Sequence, residues 1–316
     1  MKNPENLPIV TVIALCYNHS AFLIESLSSV LHQTYKAIQL IVVDDASEDD
    51  SQQKILALLQ DFPAVQWFFN EKNIGNCKSF NQALLLAKGK YIIDLATDDV
   101  LENTRIEKQV KYFESLSDSC GVVFSNAIFI DEQGNTLRTL YDDENQSIPE
   151  GNIYSKLIEQ SFILPSTMMI KKEVLDSLNG YDETLAYEDF DFWIRSSRNW
   201  EYAYLPEMLT FQRKVSSSLS SRFIQKKNQL VVSTVKVCAK VQSLNRNETE
   251  NEALAKRLYL VLKQCAFTEN FEAGEEVIKM LNQLKGHTFK SKLLCIIIRF
   301  SIPLNFVYLK FNTFRL

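Results

Sequence analysis

Four short stretches of this chain place polar and charged side chains directly after apolar runs: Cys16-Tyr17-Asn18, Asp44-Asp45-Ala46-Ser47, Asn70 with Asn73-Ile74-Gly75, and Thr97-Asp98-Asp99. Two of them contain adjacent carboxylates, an expensive way to end a buried strand. Carboxylates are hard oxygen donors, and Mg²⁺ or Mn²⁺ is typically held by one or two of them together with a substrate's phosphate oxygens. The same residues also have plainer uses. Asp44, Asp45 and Ser47 suit the cap of a following helix, Asp98 and Asp99 suit the cap of one starting near Leu101, and Asn73 with Gly75 suits a turn. A further cluster, Tyr187-Glu188-Asp189-Phe190-Asp191-Phe192-Trp193-Ile194-Arg195, offers carboxylates able to accept a proton. Its alternative reading is an N-cap with Asp191 and Arg195 paired one turn apart.

The apolar runs that precede these groups predict strands at residues 9–15, 38–43, 65–69 and 91–95. They are continuous in Val, Ile and Leu rather than alternating, as strands buried on both faces of a parallel sheet are. Apolar residues three and four apart predict helices at 21–31, 52–59 and 78–87. Strand and helix in alternation define an α/β fold with a mainly parallel sheet. In such sheets ligands bind beyond the carboxyl ends of the strands, so the four polar stretches converge on one edge. Beyond Asp99 the pattern predicts a helix at 102–116, a strand at 122–130, a turn at 131–134 and an irregular region to about residue 170. A helix then starts near Glu188, and a pair of strands lies within 202–212. After the serine cluster of residues 216–221 only helical patterns remain. The expected division is therefore a catalytic domain at 1–215, with a nucleotide-binding half at 1–100 and an acceptor half at 101–215, followed by a helical extension at 216–316.

With 316 residues, 46% of them hydrophobic and 23% charged, the chain has the makeup of a globular protein of one large domain or slightly more. A formal charge of −5 with both signs interspersed gives no basic face for nucleic acid. The six cysteines lie far apart without a C-x-x-C, which argues against a disulfide framework or a zinc site and for a reducing, cytoplasmic setting. The amino-terminal apolar run is too short and too interrupted, by Glu5 and Pro8, for a signal peptide. The N-x-S/T sequences at Asn18, Asn145 and Asn247 read as chance matches. In the tail, residues 292–316, apolar residues are broken by Arg299, Pro303 and Lys310. This is too interrupted for a membrane span and suits either a segment lying in a membrane interface or a core or homodimer contact.

Combined in their order, VTVIALCYNHSAFLIESLSSVLHQTY, QLIVVDDASEDDS, NIGNCKSFNQALLLAKGKYI and ATDDVL resemble the family 2 glycosyltransferases, over residues 8–215. The resemblance implies a glycosyltransferase A-type fold: a mixed, mainly parallel sheet flanked by helices. It implies inverting transfer from a nucleotide-diphosphate sugar, a UDP-sugar foremost, to a hydroxyl of a glycan or lipid-linked acceptor. The setting implied is bacterial surface polysaccharide or glycoconjugate synthesis, in the cytoplasm or at the inner face of the cell membrane. By the same resemblance Cys16, Tyr17, Asn18, Asp44, Asp45 and Gly75 surround the nucleotide. Asp98 and Asp99 end the D-x-D element that holds Mn²⁺ or Mg²⁺, Arg213 lies near the diphosphate, and Asp189 is the catalytic base.

The sequence departs from the family pattern at Ala96, where the first D-x-D aspartate belongs, and at Val215, in a histidine-like place. Asp94 is expected at the core edge, and His19, His32 and His287 stand alone in the sequence. Two other classes are compatible with the pattern. One is a sugar-nucleotide binding module weakened in catalysis, which Ala96 permits. The other is a nucleotidyltransferase, which would release pyrophosphate in place of a nucleoside diphosphate.

Overall fold

The computed structural model describes residues 7–142, 146–215 and 223–306. The serine cluster at 216–221, the Asn145 sequence and the last ten residues of the tail lie outside these. The chain forms two compact units, and neither is continuous in sequence. A sheet unit comprises Met1–Ile153, Ile163–Glu183 and Arg195–Val215, and a helical unit comprises Tyr154–Phe162, Thr184–Ile194 and Ser216–Leu316. The division expected at residue 215 thus falls at the last of several crossings, with two earlier segments also clustering with the helices.

In chain order the elements begin β1 (Val10–Cys16), α1 (Leu23–Leu31), β2 (Ile38–Asp44), α2 (Ser51–Leu59), β3 (Gln66–Phe69), α3 (Asn76–Leu84) and β4 (Tyr91–Ala96). They continue with β5 (Val100–Leu101), α4 (Arg105–Phe113), β6 (Cys120–Ile130), β7 (Thr136–Thr139), α5 (Tyr154–Glu159), β8 (Met169–Lys171), α6 (Lys172–Ser177), α7 (Asp189–Ser196) and β9 (Glu201–Arg213). Within the sheet unit the strands run in the order β3-β2-β1-β4-β8-β6-β9-β5, with β7 added to β6. β3, β2, β1 and β4 are mutually parallel, which brings their carboxyl ends to one edge. β8 is antiparallel to β4 and β6, and β9 is parallel to β6 and antiparallel to β5.

The core forms where the predicted periodicities place it. Val10, Val12 and Ala14 of β1, Val42 of β2 and Ile93 and Leu95 of β4 are buried in one cluster. Leu23, Leu27 and Val30, spaced by about one helical turn, bury the inner face of α1. On α4, Ile106, Val110 and Phe113 do the same. Thr34 takes part in this frame as well, its amide donating to the Asn103 carbonyl over 2.9 Å.

The region near residues 202–212 departs from expectation, because it is one thirteen-residue strand, β9, and not a strand pair. The turn signal at Pro206-Glu207 is absorbed as an irregularity against β6: Ser125 faces Leu205, but Asn126 faces Met208 and Ala127 faces Thr210. Proline has no N–H for the ladder, and a bulge is where a paired strand tolerates one.

The helical unit adds α8 (Gln229–Leu244), α9 (Glu248–Phe267), α10 (Phe271–Gln283) and α11 (Phe289–Arg299). Side-chain oxygens cap three of these at the start: Asn228 accepts from the Val231 amide, Asn247 from the Glu250 amide and Thr288 from the Ser291 amide. Asn247 thus has a structural use of its own. All six cysteines are buried free thiols. Among the described residues no helix is long and apolar enough to cross a membrane.

Close approach of backbone fixes one glycine in this frame. A Cβ at Gly89 would lie 2.5 Å from the Thr11 amide nitrogen and 2.7 Å from the Tyr91 carbonyl oxygen, neither of which is the end of a flexible side chain. Gly89→Ala is therefore expected to lower stability by about 1–3 kcal/mol, the usual cost of overpacking, through a shift of β1 against β4. Denaturant unfolding at constant m-value checks this, and a midpoint equal to that of the parent chain would contradict it.

Candidate active site

At the carboxyl edge of β2, Asp44 and Asp45 are both buried, and each organises a loop. Asp44 accepts from the Ser47 amide at 2.9 Å, the Ser47 hydroxyl at 2.6 Å and Gln52 Nε2 at 2.7 Å. Asp45 accepts from Asn70 Nδ2 at 2.8 Å, the Ile74 amide at 2.9 Å and the Gly75 amide at 2.8 Å. Gly75 has φ 89°, which side-chain-bearing residues rarely adopt, and this lets two successive amides turn onto one carboxylate. Asp45 therefore brings the end of β3 and the start of α3 to the rim. Asp44 lies behind it, fully enclosed.

The loop after β1 is fastened to the loop after β2. The Asn18 amide donates to Ser47 Oγ at 2.9 Å, Asn18 Oδ1 accepts the Glu48 amide at 2.8 Å, and the Ser20 amide donates to Asp49 at 3.0 Å. Asn18 itself is left-handed, with φ 57°. Cys16 points into the core, where burial raises its thiol pKa, while the ring of Tyr17 is exposed. Of the three residues, Tyr17 and Asn18 are exposed, and Asn18 Oδ1 is already engaged by the Glu48 amide. His19 follows, with Nδ1 3.0 Å from Thr97 Oγ1 and 3.9 Å from Asp98 Oδ1.

The adjacent carboxylates at the end of β4 divide their work. Asp99 is buried and accepts the Arg213 amide at 3.0 Å. Burial pushes its carboxyl well above the usual range, the neighbouring Asp98 charge adds to this, and the Arg213 hydrogen bond opposes it. Asp98 is half-buried and faces His19. Neither carboxylate caps the next helix, because α4 starts only at Arg105. Ala96 is exposed at the same edge and contributes no donor.

Arg213, which the sequence suggests for the diphosphate, is engaged in the frame. Its guanidinium donates to the carbonyls of Asp98, Asp131 and Glu132 and, at 2.6 Å, to Glu25. The next residue is the better placed cation. Lys214 Nζ lies 4.2 Å from the Phe129 ring centroid, and the Arg138 guanidinium lies 4.0 Å from the same centroid. Burial and the like charge of Arg138 lower the Lys214 pKa, and Asp99 and Asp98 pull it back up, so this amine lies in the field of the carboxylate pair. Asp94 sits below the edge and accepts from the Tyr181 hydroxyl at 3.1 Å.

Asp189 opens α7 in the helical unit. It lines a cavity of about 260 Å³ together with Tyr187, Phe190, Phe223, Thr234 and Arg257. Burial and the adjacent Glu188 push its carboxyl up to about 7, against the Phe190 amide and the Arg257 charge, which favour the carboxylate. Arg257 of α9 is held from behind by the Ile158 carbonyl at 2.7 Å, the Leu157 carbonyl at 3.2 Å and Ser161 Oγ at 3.2 Å. Two residues on, Asp191 is buried and paired with Lys240 of α8 at 2.5 Å. A mid-helix arginine carries no sequence signal for such a place, so Arg257 was not legible. His19 carried only its position beside Asn18.

Among the described residues no three His, Cys, Asp or Glu side chains gather to hold a metal ion on their own. The half-buried Asp98 carboxylate is nevertheless an oxygen donor of the kind that a hard divalent ion takes together with phosphate oxygens and water.

The four parallel strands bring polar loops to one edge, the edge at which open α/β sheets bind ligands. The model of glycosyl transferase family 2 matches residues 11–178, and the chain belongs to this family. It is 33% identical over 194 residues to an uncharacterized glycosyltransferase of Methanocaldococcus jannaschii, covering 61% of this chain and 66% of the relative. Over 223 residues it is 25% identical to an uncharacterized glycosyltransferase of Rickettsia bellii, covering 70% of this chain and 32% of that protein. The chain thus spans less than two thirds of the length of these relatives. Among solved structures it resembles S. aureus TarS 1–349 in complex with UDP-GlcNAc, at TM-score 0.67 and 16% identity, covering 93% of this chain and 88% of that one. It also resembles the mannosyltransferase PcManGT from Pyrobaculum calidifontis in complex with GDP-Man and Mn²⁺, at TM-score 0.58 and 16% identity, covering 98% and 85%. The fold is of the glycosyltransferase A type.

The division between the two carboxylates is testable without activity. Asp99→Ala should lower stability by about 1–3 kcal/mol, because the buried Arg213 amide loses its acceptor. Asp98→Ala should stay within about 0.5 kcal/mol of the parent, as for other substitutions that leave no buried group unpaired. Equal losses in thermal unfolding would mean that both carboxylates are structural.

Proposed function

We propose that this chain moves one sugar from a nucleotide-diphosphate sugar, a UDP-sugar, to an acceptor hydroxyl with inversion at the anomeric carbon. The observation that carries this reading is Asp189, a carboxyl poised at about 7 on the wall of a cavity. A general base works best when its pKa lies near the working pH. Asp189 takes the proton of the acceptor hydroxyl as that oxygen bonds to the anomeric carbon. The bond from that carbon to the diphosphate breaks on the opposite side, and the electron pair leaves with the nucleoside diphosphate.

On the donor side, Tyr17 and the loop gathered by Asp45 and Gly75 receive the nucleotide, and Asp98 holds a divalent ion, with Asp99 fixing the loop that carries it. Bound there, Mn²⁺ or Mg²⁺ supplies electrostatic stabilisation of the charge that builds on the departing diphosphate. Lys214 adds a cation to the same region. The UDP and UDP-GlcNAc complexes of TarS support the donor class, and the Mn²⁺ of the mannosyltransferase supports the ion. The acceptor in this reading is a glycan or lipid-linked sugar of surface polysaccharide synthesis.

α11 supports a place at the inner face of a membrane. Phe289, Leu293, Ile296 and Phe300 repeat at helical spacing and are all exposed, Phe289 at 88% and Phe300 at 75%, with Lys290, Lys292 and Arg299 among them. An apolar stripe flanked by cations is the composition of a helix lying in an anionic interface. Exchanging Phe289, Leu293 and Ile296 for Ser should release the protein from phosphatidylglycerol vesicles in co-sedimentation and leave nucleotide binding intact. Retained vesicle binding would refute the placement, and a wild-type dimer that the same exchange makes monomeric would assign the stripe to a homodimer instead.

Asp189→Asn tests the base. Transfer, read as UDP release dependent on acceptor, should fall by about 10²-fold or more with UDP affinity unchanged. Stability gives a second readout with a definite sign. The folded-state pKa lies above the unfolded value near 4, so the protonated form's contribution is complete below about pH 4 and is lost as pH rises through about 7. The variant cannot ionise, so its melting temperature should gain on the parent's across that window and hold the gain at pH 8. A pH-independent difference with full turnover would remove Asp189 from the mechanism.

A further inference from the structure

We propose that Arg257 anchors an anionic group, a phosphate or a carboxylate, on the acceptor whose hydroxyl Asp189 deprotonates. This rests on the reading of Asp189 as the base, and it makes the acceptor a negatively charged one.

Counting donors isolates the free part of the guanidinium. An arginine side chain carries five N–H donors. Three are taken at the carboxyl end of α5: Nε donates to the Ile158 carbonyl at 2.7 Å, and Nη2 donates to the Leu157 carbonyl and to Ser161 Oγ, each at 3.2 Å. The two that remain are both on Nη1, and among the described residues nothing accepts them. Nη1 does not belong to the buried polar atoms that lack a partner, so solvent reaches it. The open space that Arg257 lines is the Asp189 cavity. The planar group is fixed there against Phe190, another wall residue, with Cζ 4.6 Å from the ring centroid.

The charge is unmatched as well. Every group that the guanidinium bonds is neutral, and it forms no ion pair with Asp189, whose carboxylate it favours only from a distance. Withdrawing a cation from water costs free energy unless an anion accompanies it. Tying α9 to α5 needs hydrogen-bond donors and no charge, whereas a ligand that brings an anion supplies the missing partner for both. The other walls suit a sugar or polyol bearing that anion. Gln264, about two turns beyond Arg257 on α9, lines the same cavity, and its side-chain amide is unbonded among the described residues. Tyr187, Phe190 and Phe223 supply aromatic surface. At about 260 Å³ the space is smaller than the roughly 300–1,000 Å³ of pockets for drug-sized ligands, so it takes one sugar-sized unit with its anion.

Ligand-observed NMR on the full chain with glucose 6-phosphate, glucuronate and glucose tests this, the first two separating phosphate from carboxylate. At least one anionic probe should bind about tenfold or more tightly than glucose, the usual worth of hydrogen bonds to a charged group. Arg257→Gln should abolish that preference and Arg257→Lys should keep part of it, a pattern that loss of the α5 tie alone would not produce. Gln264→Trp fills the cavity while leaving every Arg257 bond in place, so it should abolish anion binding even where Arg257→Gln does not fold. Equal affinity for glucose, or an anion preference that survives Arg257→Gln or Gln264→Trp, would overturn the proposal. Should Asp189→Asn still abolish acceptor-dependent UDP release, the base would stand without it. Release indifferent to that exchange would overturn both.

Discussion

Arg213 ties the carboxyl edge of the sheet together. Its side chain is almost wholly buried, so its N–H groups need acceptors within the protein, and it finds them on three separate segments: the Asp98 loop, the turn at Asp131–Glu132 and Glu25 of α1. Its own amide holds Asp99. One residue at the end of β9 thereby determines how the loop after β4 sits, turning Asp99 inward and Asp98 out. Adjacent carboxylates repel, and this division lets the chain keep both: one buried against the Arg213 N–H, the other half-buried beside His19.

The same economy separates scaffold from chemistry elsewhere in the molecule. Asp44 and Asp45 each receive three hydrogen bonds, all from loop donors that they hold in place. Asp189 receives a short bond from the amide of Phe190 and lines a cavity, so burial and Glu188 raise its pKa against the Phe190 amide and the Arg257 charge. A buried carboxylate short of donors is destabilised as an anion and is the better proton acceptor. Hydrogen-bond saturation therefore distinguishes the structural aspartates from the candidate base more sharply than burial does.

The sheet's parallel half was legible because its information is local. Continuous Val-Ile-Leu runs placed β1, β2 and β4, an aromatic run placed the half-exposed β3, helical spacing placed the intervening helices to within a few residues, and parallel strands then had to deliver their polar ends to one edge. What depended on distant pairing was not legible. Pro206 reads as a turn unless the partner strand is known to accept a bulge. Arg213 and Lys214 read alike in sequence, and only the register of β9 against β6 and β5 decides which is enclosed. Arg257 enters the Asp189 cavity from a helix some seventy residues further on, with no motif to mark it.

At Ala96 the chain departs from the family pattern while keeping the family's fold. A third carboxylate beside Asp98 and Asp99 would raise the local negative charge in a site where burial and Asp98 already disfavour ionised Asp99. The loop carrying His19 is held by Ser47, Glu48 and Asp49 after β2, and that loop is in turn held by Asp44. Loops distant in sequence are thus fastened to one another, because the parallel strands deliver them to the same edge.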